Sequence, residues 1–150
     1  MVPTNLYGPG DNFDPLQSHV IPALIRRLHD AVIEGHDAVE IWGSGKPTRE
    51  FMHVDDAADA AVFLLRHWSA EEPINIGTGE DICIADLAGT IARVVGFKGR
   101  FVFDISKPDD APRKALDASK LLALGWRARI GFDQGIRETY DCFRAGLVTR

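Results

Sequence analysis

A histidine at the start of a predicted helix is the residue whose type and position first suggest chemistry. His19 follows a loop rich in glycine, aspartate and asparagine and directly precedes an apolar run that begins at Val20. A side chain at such a point can face a cleft, and an imidazole exchanges protons near neutral pH. The position also suits a surface or helix-capping histidine. Residue types alone favour a surface or capping role over a role in a cleft.

Basic side chains lie on or beside predicted loops of an otherwise acidic chain. Guanidinium groups at such places match the oxygens of a phosphate, although simple charge balance would need the same residues. These cations are Arg26, Arg27, Arg49, Lys107, Arg113 and Lys114. Trp42 precedes a glycine loop and suits either a core anchor or a platform for a planar base, with composition favouring the core.

Three familiar site motifs are incomplete in this sequence. Gly77-Thr78-Gly79 follows a predicted strand, but Ile82 stands where the third glycine of a dinucleotide fingerprint belongs. Gly45-Lys46 is similar to the end of a P-loop, but Pro47 stands where Ser or Thr would hold magnesium. The five histidines form neither H-x-x-x-H nor H-E-x-x-H, so we expect no metal site.

Apolar periodicity predicts the helices that position these residues. The first has Ser18 as N-cap and Gly35 as its stop, and its inward face includes Val32. The others are a helix that begins at Asp55 and Asp56, one from Ile84 to Val95 stopped by Gly96, a short one capped by Asp117, and one from Asp133 to about Arg144.

Short β-rich runs alternate with these helices, which predicts an α/β fold. The runs are Val2 to Tyr7, two runs in "AVEIWGSGKPTREFMHV", Pro73 to Thr78, and "RFVFD". The second and third flank a Gly-Ser-Gly loop and predict a hairpin. Four or five short strands are too few for a self-sufficient parallel sheet, so we expect some of them to need partners from elsewhere.

Composition limits the classes of partner. The 150 residues are 45% hydrophobic and 26% charged, which is typical of a folded domain. A net charge of −5 argues against nucleic acid or an anionic membrane surface as partner. Two cysteines, Cys83 and Cys142, without metal spacing favour a reducing cytoplasm, and no apolar run or signal peptide is recognisable.

Five blocks of the sequence resemble the GDP-L-fucose synthase branch of the extended short-chain dehydrogenase/reductase family. They are "PTNLYGP", "SHVIPALIRR", "WGSGKPTREFMHVDD", "INIGTGED" and "SKPDDAPRKALD". The resemblance implies NADPH-dependent epimerisation and reduction of GDP-4-keto-6-deoxy-D-mannose to GDP-L-fucose. It covers only the C-terminal half of such an enzyme, because the Gly-rich NADP motif and the Tyr-x-x-x-Lys pair of the family are absent from these residues. The chain alone is therefore expected to be inactive; a non-catalytic GDP-sugar-binding module or another nucleotide-sugar epimerase or dehydratase is the alternative.

The resemblance also implies roles for individual residues. Pro3, Thr4, Asn5 and Leu6 match the loop against the nicotinamide end of NADP, and His19 matches a histidine that lies near the cofactor and serves as acid in the epimerisations. The positions that match substrate contacts are Arg27, Trp42, Arg49, Asp109 and Arg113.

The same resemblance implies a division of the chain, and its short strands imply an assembly. Residues 2–7 and 55–78 are expected to belong to the sheet layer of a truncated Rossmann domain, and residues 12–54 and 80–150 to the substrate-binding lobe. Orphaned strand edges pair readily with another copy, so we expect a homodimer or a larger assembly.

Overall fold

Helices alternate with short strands along the chain, as predicted for an α/β protein. The computed structural model describes residues 1–15 and 17–146, so residues 16 and 147–150 of the predicted lobe lie outside the described part. The helices are α1 (Val20–Glu34), α2 (Val54–His67), α3 (Ile84–Val95), α4 (Ser119–Ala123) and α5 (Phe132–Arg144). The strands are β1 (Val2–Pro3), β2 (Asn5–Tyr7), β3 (Ala38–Trp42), β4 (Thr48–His53), β5 (Asn75–Ile76), β6 (Asp81–Cys83), β7 (Arg100–Asp104) and β8 (Arg113–Lys114).

Helix α1 ends where the sequence predicts but begins one residue later. Gly35 adopts the left-handed conformation, with φ 72°, and stops the helix. The predicted N-cap, Ser18, is wrong: His19 holds the N-cap position, because the Ser18 N–H turns back to bond the Asp14 carbonyl. Val32 does not face the core as predicted, since its side chain is 41% exposed.

Helices α2 and α3 follow their local signals closely. In α2, Asp55 and Asp56 occupy the first turn and His53 caps it, with Nδ1 accepting from the Asp55 N–H at 3.3 Å. Helix α3 has the predicted bounds, and Cys83 serves as its N-cap by accepting from the Asp86 N–H at 3.4 Å. The helices around the site therefore begin and end mostly at residues that sequence signals identify.

The predicted first strand divides at Thr4 into two strands with different neighbours. β1 pairs in parallel with β5, and β2 pairs in parallel with the second half of β4. The first half of β4 pairs with β6 in antiparallel and with β8 in parallel. β4 therefore connects the N-terminal strand β2 to β6 and to β8, and β8 directly follows the loop at residues 108–112.

The predicted hairpin between β3 and β4 is wrong. β3 pairs instead in parallel with β7, from Ala38 opposite Arg100 to Trp42 opposite Asp104. The loop between β3 and β4 bonds elsewhere, because the carbonyls of Gly45 and Pro47 accept from the first N–H groups of α3. These bonds satisfy two of the N-terminal donors of α3, at Ile84 and Ala85, and direct β4 away from β3.

Two apolar clusters lie within the described residues. The larger one joins α1, α3 and α5 to β2, β3 and β4. The smaller one joins β5 and α2 to the segment around α4 and consists of Met52, Ala57, Ala60, Leu64, Ile74, Ile76, Leu121 and Trp126. β4 contributes to both clusters, with Phe51 in the larger and Met52 in the smaller, because successive strand residues face opposite sides.

Candidate functional site

A cavity of about 720 Å³ lies beside the start of α1, between β4 and the loops that follow β3 and β7. Seven of the ten residues that the resemblance singles out line this cavity: Thr4, Asn5, Leu6, His19, Trp42, Arg49 and Asp109. Pro3, Arg27 and Arg113 are not among its lining residues. The structure therefore brings together residues from four segments that are far apart in the sequence.

His19 faces the cavity from the N-cap position of α1. Its backbone is extended, with φ −71° and ψ 170°, and its side chain makes no capping hydrogen bond. The capping alternative from the sequence is therefore excluded. An exposed imidazole on a cavity wall can take up and release a proton.

The N-terminal segment is fixed to β4 by two side chains. Thr4 Oγ1 and Asn5 Nδ2 both donate to the backbone carbonyl of Glu50, at 3.2 and 2.8 Å. Leu6 lies next to them and is 37% exposed. This wall of the cavity is held in place by contacts within the chain.

Arg49 is the best-anchored cation of the cavity, with only 12% of its side chain exposed. Its Nη1 donates to the carbonyls of Thr48 and Ala111 at 2.7 and 2.8 Å, and its Nη2 to Asp110 at 3.2 Å. Asp110 also pairs with Lys114, which lines the cavity too. Hydrogen bonds from the Lys114 ammonium and the Ala111 N–H, with the nearby charges of Lys114 and Arg49, lower the pKa of Asp110 to about 2.

Two of the predicted substrate-binding arginines bond to groups within the chain. Arg27 donates to the carbonyl of Glu40 at 2.8 Å. Arg113 pairs with Asp81 at 2.9 Å, and this hydrogen bond is the largest cause that lowers the pKa of Asp81. Both would have to change partners to bind a ligand in the cavity.

Trp42 is a surface platform and not a core anchor. Its side chain is 64% exposed, and its indole N–H donates to the Glu40 carboxylate at 3.0 Å. The Lys107 ammonium lies 5.7 Å from the ring centroid, within the range of a cation–π contact. The composition-based preference for a buried Trp42 is therefore wrong.

Asp109 lies on the cavity wall, where the loop after β3 holds it. Its Oδ1 accepts from the Ser44 N–H at 2.8 Å and its Oδ2 from the Ser44 hydroxyl at 2.7 Å. These two bonds lower the pKa of Asp109, the hydroxyl bond more than the backbone bond. Asp109 is therefore a fixed, ionised acceptor.

Sequence reasoning missed Glu50, a fully buried carboxylate between Arg49 and Phe51, which both line the cavity. Its oxygens accept from the N–H groups of Gly79 and Leu116, each at 2.9 Å, and more weakly from the Thr78 hydroxyl at 3.4 Å. A signal was available, because an acidic residue directly before the apolar run that starts at Phe51 must either face solvent or find buried donors.

No metal centre is found in the part of the chain that the structure describes. No group of three or more His, Cys, Asp or Glu residues there comes close enough to hold an ion.

Comparisons with known proteins give relatives for almost the whole chain. It is 50% identical to GDP-L-fucose synthase 1 of Arabidopsis thaliana over 99% of its residues, and 53% identical to the GDP-L-fucose synthase of Escherichia coli K12 over 95%. A crystal structure of a GDP-L-fucose synthetase from Naegleria fowleri bound to NADP is 35% identical, with a TM-score of 0.91 over 97% of the chain. The chain spans 46 to 47% of these proteins, about half of their length.

These matches confirm the resemblance that the sequence blocks indicate and the α/β class of the fold. The model of the NAD dependent epimerase/dehydratase family matches residues 1–77, which is more than half of the chain and includes Thr4 to Leu6, His19, Trp42 and Arg49. The site therefore lies mostly within the matched region. The chain belongs to the NAD dependent epimerase/dehydratase family.

Proposed function

We propose that this chain is the nucleotide-sugar-binding part of a GDP-L-fucose synthase. The reaction is NADPH-dependent epimerisation and reduction of GDP-4-keto-6-deoxy-D-mannose to GDP-L-fucose. The observation that carries the proposal is the single cavity that collects His19, Trp42, Arg49 and Asp109 beside the Thr4–Leu6 segment. Relatives about 50% identical that bear this name support the choice of substrate.

His19 suits the acid of an epimerisation next to a keto group. Such an epimerisation passes through an enolate, so one face of the sugar needs a base and the other an acid that is protonated near neutral pH. A protonated imidazole on the cavity wall can give its proton to the enolate carbon. The family resemblance assigns the base to a cysteine upstream of these 150 residues, so His19 supplies one half of the pair.

Arg49 and Lys114 suit the diphosphate of the substrate. Both now share the Asp110 carboxylate, which balances their charge. A diphosphate that entered the cavity would compete with Asp110 for these cations, because phosphate oxygens match a guanidinium fork. Arg27 and Arg113 remain candidates for the same role after release from Glu40 and Asp81, and Trp42 offers an exposed ring face to the nucleotide.

The N-terminal wall of the cavity fits the nicotinamide end of NADP. Thr4, Asn5 and Leu6 lie beside His19 around one opening, and Pro3 precedes them. When bound, NADPH supplies the hydride that reduces the C4 ketone. The side chains of Thr4 and Asn5 already hold this wall on β4, so the surface that would meet the cofactor is in place before any ligand binds.

The 150 residues by themselves are expected to bind without turnover. They contain no Gly-x-x-Gly-x-x-Gly and no Tyr-x-x-x-Lys, so the preorganised groups that position a hydride donor and protonate the ketone oxygen are lacking. The alternative is that the chain is a stand-alone, non-catalytic GDP-sugar-binding module and not part of an enzyme. Another nucleotide-sugar epimerase or dehydratase specificity is the alternative for the whole enzyme.

We also propose how the chain is divided, where it acts and how it assembles. Residues 2–7 and 55–78 form the Rossmann layer, and residues 12–54 and 80–150 the substrate lobe; the pairing of β1 with β5 supports the first group.

No helix in the described part of the chain is long and apolar enough to cross a membrane. A cytoplasmic location is supported by the cysteine content, because Cys83 and Cys142 are the two cysteines of the sequence and lack metal-ligand spacing. A homodimer or larger assembly is supported by the edge of β1 that has no partner strand among the described residues.

Isothermal titration of the purified chain with GDP and UDP tests this proposal. We expect the chain to bind GDP. Arg49→Ala should weaken the affinity for GDP by about 10- to 100-fold, the usual loss for hydrogen bonds to a charged group. Arg66→Ala, at the exposed end of α2, serves as the control and should leave the affinity unchanged. Absence of GDP binding, or equal binding of UDP, would contradict the proposal, and NADPH oxidation by the chain alone would contradict its inactivity.

A further inference from the structure

One residue occupies both oxygens of the Asp109 carboxylate. The Ser44 N–H donates to Oδ1 at 2.8 Å and the Ser44 hydroxyl donates to Oδ2 at 2.7 Å. Two bonds to one neighbouring residue leave the carboxylate little freedom to rotate. Asp109 therefore presents a single orientation to the cavity that it lines.

The loop around Ser44 is shaped for this contact. Gly43 has φ 80°, which side-chain-bearing residues rarely adopt, and a side chain there would overlap Asp109 Oδ1. The Lys46 N–H donates to Ser44 Oγ at 3.2 Å. Because that bond uses the hydroxyl oxygen as acceptor, the hydroxyl proton is left to point at Asp109.

The remaining acceptor capacity of Asp109 decides what it can recognise. An ionised carboxylate offers about four lone-pair sites, two on each oxygen. Ser44 takes one site on each oxygen in a paired arrangement, so one site on each oxygen remains, and these two point away from each other. The adjacent N1–H and N2–H donors of guanine need the paired arrangement, whereas a lone hydroxyl needs only one site.

We propose that Ser44 is a positioning residue that presents Asp109 as the acceptor for one hydroxyl of the nucleotide-linked sugar, and not for the guanine base. The inference rests on the proposed function, because it concerns the same cavity and the same GDP-sugar. It assigns Ser44 a part in sugar recognition, and it chooses between two possible ligands of Asp109.

Titrations with GDP, IDP and GDP-L-fucose test the proposal on the wild-type chain and on variants. IDP lacks the guanine N2 amine, and GDP lacks the hexose. We expect GDP-L-fucose to bind more tightly than GDP, and Ser44→Ala and Asp109→Asn to reduce that preference by about tenfold, the loss of one hydrogen bond to a charged group. The preference for GDP over IDP should not change.

Two further variants distinguish a role of Ser44 in positioning Asp109 from a general disturbance of the fold. Ser44→Thr keeps the hydroxyl and should restore the preference for GDP-L-fucose. Ser106→Ala is the matched control, because Ser106 also donates to a carboxylate, Asp104, on the neighbouring loop but does not line the cavity. The proposal is overturned if Ser44→Ala reduces the preference for GDP over IDP instead, or if wild type binds GDP and GDP-L-fucose equally.

A measurement without ligand keeps this inference separable from the proposed function. Carbon-13 NMR titration of the Asp109 carboxyl should show a higher pKa in Ser44→Ala than in wild type, since the Ser44 hydroxyl bond is the largest cause that lowers this pKa. Equal pKa values would refute the positioning role. If wild type binds no GDP while the carboxyl still shifts, the proposed function and the sugar contact fail but the Ser44–Asp109 coupling stands.

Discussion

Glu50 shows how a buried charge can organise the walls of a cavity. Its carboxylate accepts from the backbone of two later segments, at Gly79 and Leu116, and its carbonyl accepts from Thr4 and Asn5. A fully buried carboxylate is costly to desolvate, so it persists only where hydrogen bonds stabilise the charge. Glu50 therefore fixes three segments around the strand that also carries Arg49.

We predict that Glu50→Gln destabilises the chain without changing its shape. One oxygen becomes an NH₂ group, which must face either the Gly79 or the Leu116 N–H, so a buried donor loses its acceptor. The free energy of unfolding in urea should fall by about 1–3 kcal/mol. Glu71→Gln, at an exposed position, is the control and should change it by less than about 0.5 kcal/mol. Equal unfolding curves for both variants would show that the Glu50 bonds contribute nothing.

Asp110 makes the stability of the folded chain depend on pH in the acid range. Its pKa is lowered to about 2 from an ordinary 3.8, so it contributes stability above about pH 4 that is lost as the pH falls toward 2. Asp110→Asn should therefore lose less stability than wild type between about pH 4 and pH 2 in urea unfolding. Asp141→Asn, at an exposed position on α5, should keep the wild-type slope. A wild-type slope in Asp110→Asn would contradict the role of the Arg49 and Lys114 contacts.

The helices and strands differ in how far the sequence predicts them, because their determinants lie at different distances along the chain. The predicted bounds of α3 rest on its own apolar periodicity and on Gly96 directly after it, and in the structure Cys83 caps its start. The partner of β3 is β7, about 60 residues later, and no local signal indicates it. The glycine loop between β3 and β4 is a turn, as its sequence indicates, but its carbonyls accept hydrogen bonds from the first N–H groups of α3. The turn signal is therefore correct, whereas the strand pairing inferred from it is wrong.

The site shows the same division between local and remote information. The family resemblance identifies seven residues that do line the cavity, but Ser44 and Glu50 become visible only through bonds to residues 65 and 66 positions away. The exposure of Trp42 was also beyond the sequence, because β3 forms the edge of a two-stranded sheet and Trp42 lies on its outer face. Side-chain partners, more than residue identities, are what the sequence leaves undetermined.

The loop between β5 and β6 depends on a glycine that lies close to Glu50. A Cβ at Gly77 would overlap Glu50 Oε1, and Glu50 cannot move without breaking its other bonds. We predict that Gly77→Ala lowers the free energy of unfolding by about 1–3 kcal/mol, as overpacking does. Gly89→Ala is the matched control: Gly89 lies inside α3 with open space at its Cβ position, so alanine should stabilise the chain by up to about 1 kcal/mol. Thermal unfolding of both variants measures the contrast, and a loss at Gly89 as large as that at Gly77 would contradict it.

At the scale of the whole molecule, the short sheets leave a strand edge open. β1 pairs with β5 on one side only among the described residues, and Val2 is 42% exposed there. Parallel sheets normally have both faces covered, and an open edge presents unpaired N–H and C=O groups to another chain. The two-stranded β1–β5 sheet is therefore one part of the described surface at which a second copy could add a strand.

We predict that the chain self-associates through the β1 edge and that a charge there weakens the association. Val2→Lys places an ammonium on the edge, where pairing with a second copy would have to desolvate it. Light scattering after size-exclusion chromatography should show wild type as a dimer or larger species and Val2→Lys shifted toward the monomer. Val32→Lys is the matched control, because Val32 on α1 is exposed to nearly the same extent, 41%, but lies on a helix whose backbone groups are already paired. A monomeric wild type would exclude the assembly, and an equal shift in both variants would attribute it to exposed apolar area in general and not to the strand edge.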